Sequence, residues 1–207
     1  MPQSPINIHS IHAVTSPGLP ALQVHYPPAL DLALRYESKD RTVLAAIPPG
    51  AAWITLGGTR YDLVNFHFHT FSEHRLDGRQ FPLEQHFVHT GPRGEALVIG
   101  LFLTPGGKGG ALQDQVLATV PAQGDPEVLI PGAALASALP DDLSTFRYEG
   151  SLTTPPYSEP VSWLVLKQHH AIQAASLYRL QLRFPDGDSR MLQPLGNRTV
   201  TYRPQPS

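Results

Sequence analysis

The sequence predicts a mainly β, single-domain protein with little helix, and three observations carry that reading. Proline at 22 and glycine at 17 residues recur between short apolar runs, the pattern of many short strands joined by turns. Those runs are rich in β-branched and aromatic residues, which suit a pleated, half-buried surface. The 207 residues fit one domain with a sizeable core, residues 1–207, and no internal repeat or long linker divides them.

In chain order, strands are expected over Arg60–Thr70, Pro82–His89, Ala96–Leu103, Val161–Leu166 and Thr199–Tyr202. Ser72–Gly78 is polar and turn-like. Pro105–Gly110 is a glycine-rich loop followed by neither Lys-Ser/Thr nor a helical pattern, so it is not read as a phosphate loop. Apolar residues three and four apart predict helices over Ala111–Val120 and Ala174–Arg183.

Composition narrows the function. A net charge of -2, from 15 basic and 17 acidic residues, leaves no basic excess for phosphates, which argues against nucleic acid as a partner. No apolar run approaches the roughly 20 residues that span a bilayer, so no membrane partner is expected. Met1-Pro2-Gln3-Ser4 opens without the charged-then-apolar stretch of a secretion signal. As written, this points to the cytoplasm; a longer true N-terminus would allow a periplasmic or secreted protein. With no cysteine, any bound transition metal must be held by imidazole or carboxylate, and ten histidines are available.

Alternate side chains of a strand share a face, so in Asn65-Phe66-His67-Phe68-His69 the two histidines project together while the phenylalanines point the other way. In Glu84-Gln85-His86-Phe87-Val88-His89 the same arithmetic groups Glu84, His86 and Val88. A neighbouring strand would thus supply a third ligand. Three imidazoles hold zinc at about 2.0–2.1 Å and leave the fourth tetrahedral position open, as in catalytic sites. Ligand histidines are commonly oriented through their other ring nitrogen. Asn65 can accept from His67 and Glu84 from His86, each partner two residues upstream on the same face, whereas His69 needs a backbone carbonyl from elsewhere. An isolated His-X-His in a strand is more often a hydrogen-bonded core feature than a metal site; the combination of motifs changes that balance.

The chain resembles the α-class carbonic anhydrases of bacterial type, from Gln3 to Arg198. The resemblance is carried by Gln3-Ser4-Pro5-Ile6-Asn7-Ile8, Asn65-Phe66-His67-Phe68-His69, Ser72-Glu73-His74, Glu84-Gln85-His86-Phe87-Val88-His89 and Ser151-Leu152-Thr153-Thr154-Pro155-Pro156. Glu159, Trp163 and Gln193-Pro194-Leu195-Gly196-Asn197-Arg198 follow. It implies a large, mostly antiparallel twisted central sheet with a few short peripheral helices, and Zn2+ on His67, His69 and His86 at the bottom of a conical cleft. It further implies reversible hydration of carbon dioxide to bicarbonate and a proton by zinc-bound hydroxide, sulfonamide sensitivity and a weak esterase side activity. Thr153 corresponds to the threonine that accepts from the hydroxide and donates to Glu73, and Thr154 to the residue that contacts bicarbonate. Val88, Val98, Leu152, Val161 and Trp163 correspond to the apolar wall beside carbon dioxide. A molecule without a net dipole is suited by such a wall.

Outside the motif context Val98, Val161 and Trp163 read as plain core, and Ser151–Pro156 as a rigid turn. Gln3–Ile8, Glu159 and Arg198 are read as structural. Fast relatives relay the proton through a histidine at the cleft mouth; here Arg41 falls at that position and Asp40 at the preceding glycine, and an arginine stays protonated. Proton transfer is therefore expected to limit turnover. Tyr157 stands where secreted relatives carry a cysteine. Monomer or homodimer stays open. The alternatives from other classes are a metal-free binding module on the same fold and a zinc hydrolase of esters.

Overall fold

A computed structural model describes residues 1–205. In chain order the strands are β1 (Asn7–Ile8), β2 (Val14–Thr15), β3 (Leu22–His25), β4 (Leu30–Glu37), β5 (Thr42–Ala46), β6 (Trp53–Leu56) and β7 (Thr59–His69). They continue with β8 (Arg75–Leu76), β9 (Arg79–Gln80), β10 (Leu83–Thr90), β11 (Ala96–Pro105) and β12 (Val128–Ala133). The last are β13 (Thr145–Gly150), β14 (Val161–Leu166), β15 (His170–Ile172) and β16 (Thr201–Arg203). The helices are α1 (Leu112–Val116) and α2 (Ala174–Arg183), neither long enough to cross a membrane.

One mixed, mainly antiparallel sheet runs β12-β4-β5-β7-β10-β11-β14-β13-β16-β2, with β6 also paired to β7 and β3 to β6. The step from β11 to β14 is parallel. β7 and β10 lie centrally and antiparallel, and their register places His67 opposite His86. On the flanks Leu44 of β5 pairs with His67, and His86 pairs with Gly100 of β11. A single row of four adjacent strands therefore carries Leu44, His67, His86 and Gly100 on one face.

The two faces bury different cores. Phe66, Phe68 and Phe87 point into a large cluster with Leu34, Ile99, Leu101, Leu117 and Leu180. Val98, Phe102, Tyr148, Val161 and Trp163 form the cluster on the histidine side. Each large apolar side chain so buried contributes about 1.5–3 kcal/mol, which holds the central strands in register. A bulge between Val88 and His89 leaves Val64 as the extra residue of β7, so Leu63 and His89 both turn to the large core.

The expected strands are found within one or two residues of their predicted ends, and α2 spans the predicted residues. The helix expected over Ala111–Val120 stops at Val116. Thr119 and Val120 are β-branched, and Pro121 pushes the residue before it towards extended backbone. The polar segment Ser72–Gly78 is a turn that carries β8, which pairs in parallel with β1. Pro105–Gly110 is the end of β11 and a loop. Strands β1 to β6, β8, β9, β12, β13 and β15 are additions to the sequence reading.

Candidate metal centre

The face shared by β7 and β10 gathers the three predicted ligands. One ring nitrogen from each of His67, His69 and His86 lies within 4.8 Å of the other two. The ring centroids are 5.1 Å apart for His67 and His69, 5.3 Å for His67 and His86, and 4.7 Å for His69 and His86. His69 and His86 are buried, and His67 is half-buried.

The outer nitrogens show which inner ones are left for a ligand. His67 Nδ1 is 3.1 Å from Asn65 Oδ1, so Nε2 faces the centre. His86 Nε2 is 3.0 Å from Glu84 Oε1, so its Nδ1 faces inward. Both partners are those expected from the alternation. For His69 the expected backbone carbonyl is absent among the described residues. The Asp188 carboxylate stands there instead, Oδ2 at 3.6 Å from His69 Nδ1. Neither ring nitrogen of His69 has a hydrogen bond, and it is buried. Such a group needs a ligand, and three convergent neutral imidazoles are the donor set of a zinc ion with one position open. The residues therefore fit the metal that the resemblance implies.

Glu84 anchors a second layer. Its Oε2 accepts from the His74 backbone N–H at 2.8 Å, and Oε1 lies 2.8 Å from His74 Nδ1 as well as near His86. His74 Nε2 is 2.7 Å from the Tyr148 hydroxyl, which donates to Ser4 Oγ at 2.8 Å. His74, Glu84 and His86 also form a compact group, but Glu84 Oε1 is shared between His74 Nδ1 and His86 Nε2, and His74 Nε2 is taken by the Tyr148 hydroxyl. A Cβ on Gly100 would stand 2.8 Å from Glu84 Oε1, so the bare backbone there is what admits the carboxylate.

The electrostatics follow from burial and these neighbours. Burial and the other two imidazoles hold His67 well below the ordinary histidine range. Burial also lowers His86, against the opposing Glu84 carboxylate. Burial alone would lower His69 as well, but Glu73 and Asp188 outweigh it and raise that ring to about 9. Glu84, which burial would raise, is held well below the usual carboxylate range by His74 and His86. An anionic Glu84 beside neutral His67 and His86 favours a bound cation, which would take the place of the proton that Glu73 and Asp188 favour on His69.

Thr153 is buried and Thr154 half-buried on the turn after β13. The turn is fixed by Ser4, whose backbone N–H donates to Ser151 Oγ at 3.0 Å, and by the Trp163 indole, which donates to the Ser151 carbonyl at 2.9 Å. No hydrogen bond joins Thr153 to Glu73 among the described residues, contrary to the expected relay. Glu73 Oε1 accepts from the Arg190 backbone N–H at 2.9 Å. Its Oε2, without a hydrogen bond, faces the imidazoles instead, 3.6 Å from His69 Nε2 and 3.9 Å from His86 Nδ1.

Of the apolar group, Val88 and Leu152 are half-buried, while Val98, Val161 and Trp163 are buried behind them. Val88 pairs with Val98, and Val98 with Trp163, so these side chains continue one another across three strands. The Trp163 ring meets the His86 ring edge-on at 4.9 Å. Arg41 is exposed in the β4–β5 turn at φ +52°. His74, Tyr148, Asp188 and Arg190 were not assigned from the sequence; only the Ser72-Glu73-His74 motif gave a signal for any of them.

The family model of the eukaryotic-type carbonic anhydrases matches residues 1–204. A carbonic anhydrase of Neisseria gonorrhoeae is 35% identical over 198 residues, covering 96% of this chain and 76% of the relative. The α-carbonic anhydrase of Thermovibrio ammonificans, solved with the inhibitor sulfanilamide, superposes with a TM-score of 0.87 at 30% identity, covering 97% of this chain and 86% of that one. That of Photobacterium profundum gives 0.86 at 32% identity over 97% and 88%.

Proposed function

The chain belongs to the eukaryotic-type, α-class, carbonic anhydrase family, and from that premise we propose that it is a zinc enzyme converting carbon dioxide and water to bicarbonate and a proton. The observation that carries the reading is the convergence of one ring nitrogen from each of His67, His69 and His86; the outer contacts of Nδ1, Nδ1 and Nε2 respectively leave His67 Nε2, His69 Nε2 and His86 Nδ1 for the centre. Those three atoms would hold the ion, and bound zinc supplies a water acidified to near neutral pH.

The remaining work falls to the chain. Asn65 and Glu84 hold the tautomers of His67 and His86 so that the inner nitrogens carry lone pairs. Val88 and Leu152, backed by Val98, Val161 and Trp163, offer carbon dioxide an apolar surface beside the centre and keep water from that side. Thr153 and Thr154 sit on a turn pinned to Ser4, where a hydroxyl can orient the reacting oxygen and contact bicarbonate. Glu73, fixed by the Arg190 N–H, has a second oxygen that would accept a hydrogen bond from the Thr153 hydroxyl.

The test is carbon dioxide hydration by the zinc-loaded protein, with and without a sulfonamide, beside His86→Ala. Hydration that sulfonamide abolishes and that His86→Ala lacks is expected. A protein that holds one zinc per chain yet does not hydrate carbon dioxide would overturn the reading. Ester hydrolysis by the same preparation measures the side activity of that site.

A further inference from the structure

We propose that Tyr157 is a positioning residue for the turn that carries Thr153 and Thr154, its ring face holding the Arg190 guanidinium and so fixing that turn against Glu73; this deepens the proposed hydration reaction and rests on it. Thr153 and Glu73 share no hydrogen bond among the described residues, so their relative placement comes through other groups. Arg190 joins the two. Its backbone N–H donates to Glu73 Oε1 at 2.9 Å, and its Nη1 donates to the Ser4 carbonyl at 2.6 Å. Ser4 in turn donates its N–H to Ser151 Oγ at 3.0 Å, at the start of the turn. At the far end of the turn the Arg190 guanidinium carbon lies 3.7 Å over the centroid of the Tyr157 ring.

Tyr157 keeps an uncommon backbone to make this contact. Its φ of +60° lies in the left-handed region, an outlier for a bulky side chain that persists only where the surroundings over-determine it. Three hydrogen bonds do so. The Tyr157 N–H donates to the Thr154 carbonyl at 2.9 Å, the Leu152 N–H to the Ser158 carbonyl at 2.9 Å, and the Gln3 amide to the Tyr157 carbonyl at 3.3 Å. A glycine would take this φ at no steric cost; the side chain kept there instead touches Arg190. A planar, weakly hydrated guanidinium is the cation best suited to stack on an aromatic face. The contact closes a circuit that runs from Thr154 through Tyr157 and Arg190 to Glu73, and through Ser4 back to Ser151.

The experiment compares zinc-loaded wild type, Y157F and Y157G. Three quantities are read: kcat and KM for carbon dioxide per zinc-loaded site in concentrated imidazole buffer, zinc release into excess chelator, and the Arg190 Nε–H proton resonance, assigned by its loss in R190K. In wild type and Y157F the ring face shields that proton. In Y157G the shielding is lost, kcat and kcat/KM fall together by about 2- to 30-fold with KM unchanged, and zinc leaves at the wild-type rate; the range is that of one guanidinium–aromatic contact felt in the transition state. Y157F, which keeps the ring, restores most of the turnover that Y157G loses. Equal turnover in Y157G and wild type, a Y157F chain that falls as far as Y157G, an unshielded Arg190 proton in wild type, or zinc that leaves Y157G faster in step with its lost turnover would each overturn the proposal while the hydration activity stands. A zinc-loaded wild type that hydrates no carbon dioxide would remove the functional reading and the proposal with it.

Discussion

His89 offers a test of the fold that is independent of the metal. It leaves β10 on the opposite face from His86 and is fully buried in the large core, with Nε2 2.8 Å from the Tyr26 hydroxyl and Nδ1 unpaired. Burial pushes this imidazole down to about 4, from 6.5 for a free histidine. A depressed folded value means that the unfolded chain takes the proton first. Full stability is present above pH 6.5 and is lost as pH falls towards 4. About two and a half units at 1.36 kcal/mol each set a ceiling of roughly 3–4 kcal/mol; the loss relative to pH 8 is about 2 kcal/mol by pH 5 and about 3 by pH 4. The assay is urea unfolding of the metal-free wild type and His89→Gln at pH 8 and pH 5. Whatever the substitution costs at pH 8 cancels when each chain is compared with itself, and titrations common to both cancel between them. Wild type should lose about 2 kcal/mol more than the variant over this interval. Equal losses would refute the assignment of a neutral, desolvated His89.

Other outcomes are expected at the centre itself. Gly100→Ala puts a methyl group against Glu84 Oε1 and should lower stability by about 1–3 kcal/mol in urea unfolding, the usual cost of overpacking; a neutral effect would show that Glu84 has room to move. Glu84→Gln removes the anion shared by His74 and His86, and zinc should leave about 10–100-fold faster in chelator competition. Arg41 cannot relay a proton, so stopped-flow hydration should accelerate in imidazole-type buffers, whereas rates that ignore such buffers would point to a relay elsewhere in the chain.

The two central strands and the ligand set were legible because their information is local. The period-2 alternation of Asn65–His69 and Glu84–Val88 fixes which side chains share a face, and it places Asn65 and Glu84 beside their histidines without knowledge of the sheet. Asp188, Tyr148 and Ser4 reach the site across long stretches of chain, and no spacing rule connects them to it. β4 was missed although Leu30, Leu32, Leu34 and Tyr36 alternate with Asp31, Ala33, Arg35 and Glu37, a pattern as regular as that of β7. The short helix α1 shows the opposite error: its apolar spacing continues past Val116, but the β-branched pair and Pro121 end the helix first.

Zinc K-edge absorption on the metal-loaded protein tests the central claim most directly. Three nitrogen scatterers at about 2.0–2.1 Å, plus one exchangeable oxygen that a sulfonamide nitrogen displaces, are expected from three imidazoles and an open fourth position. A shell closed by a fourth protein atom, or one that persists unchanged in His67→Ala, would contradict it.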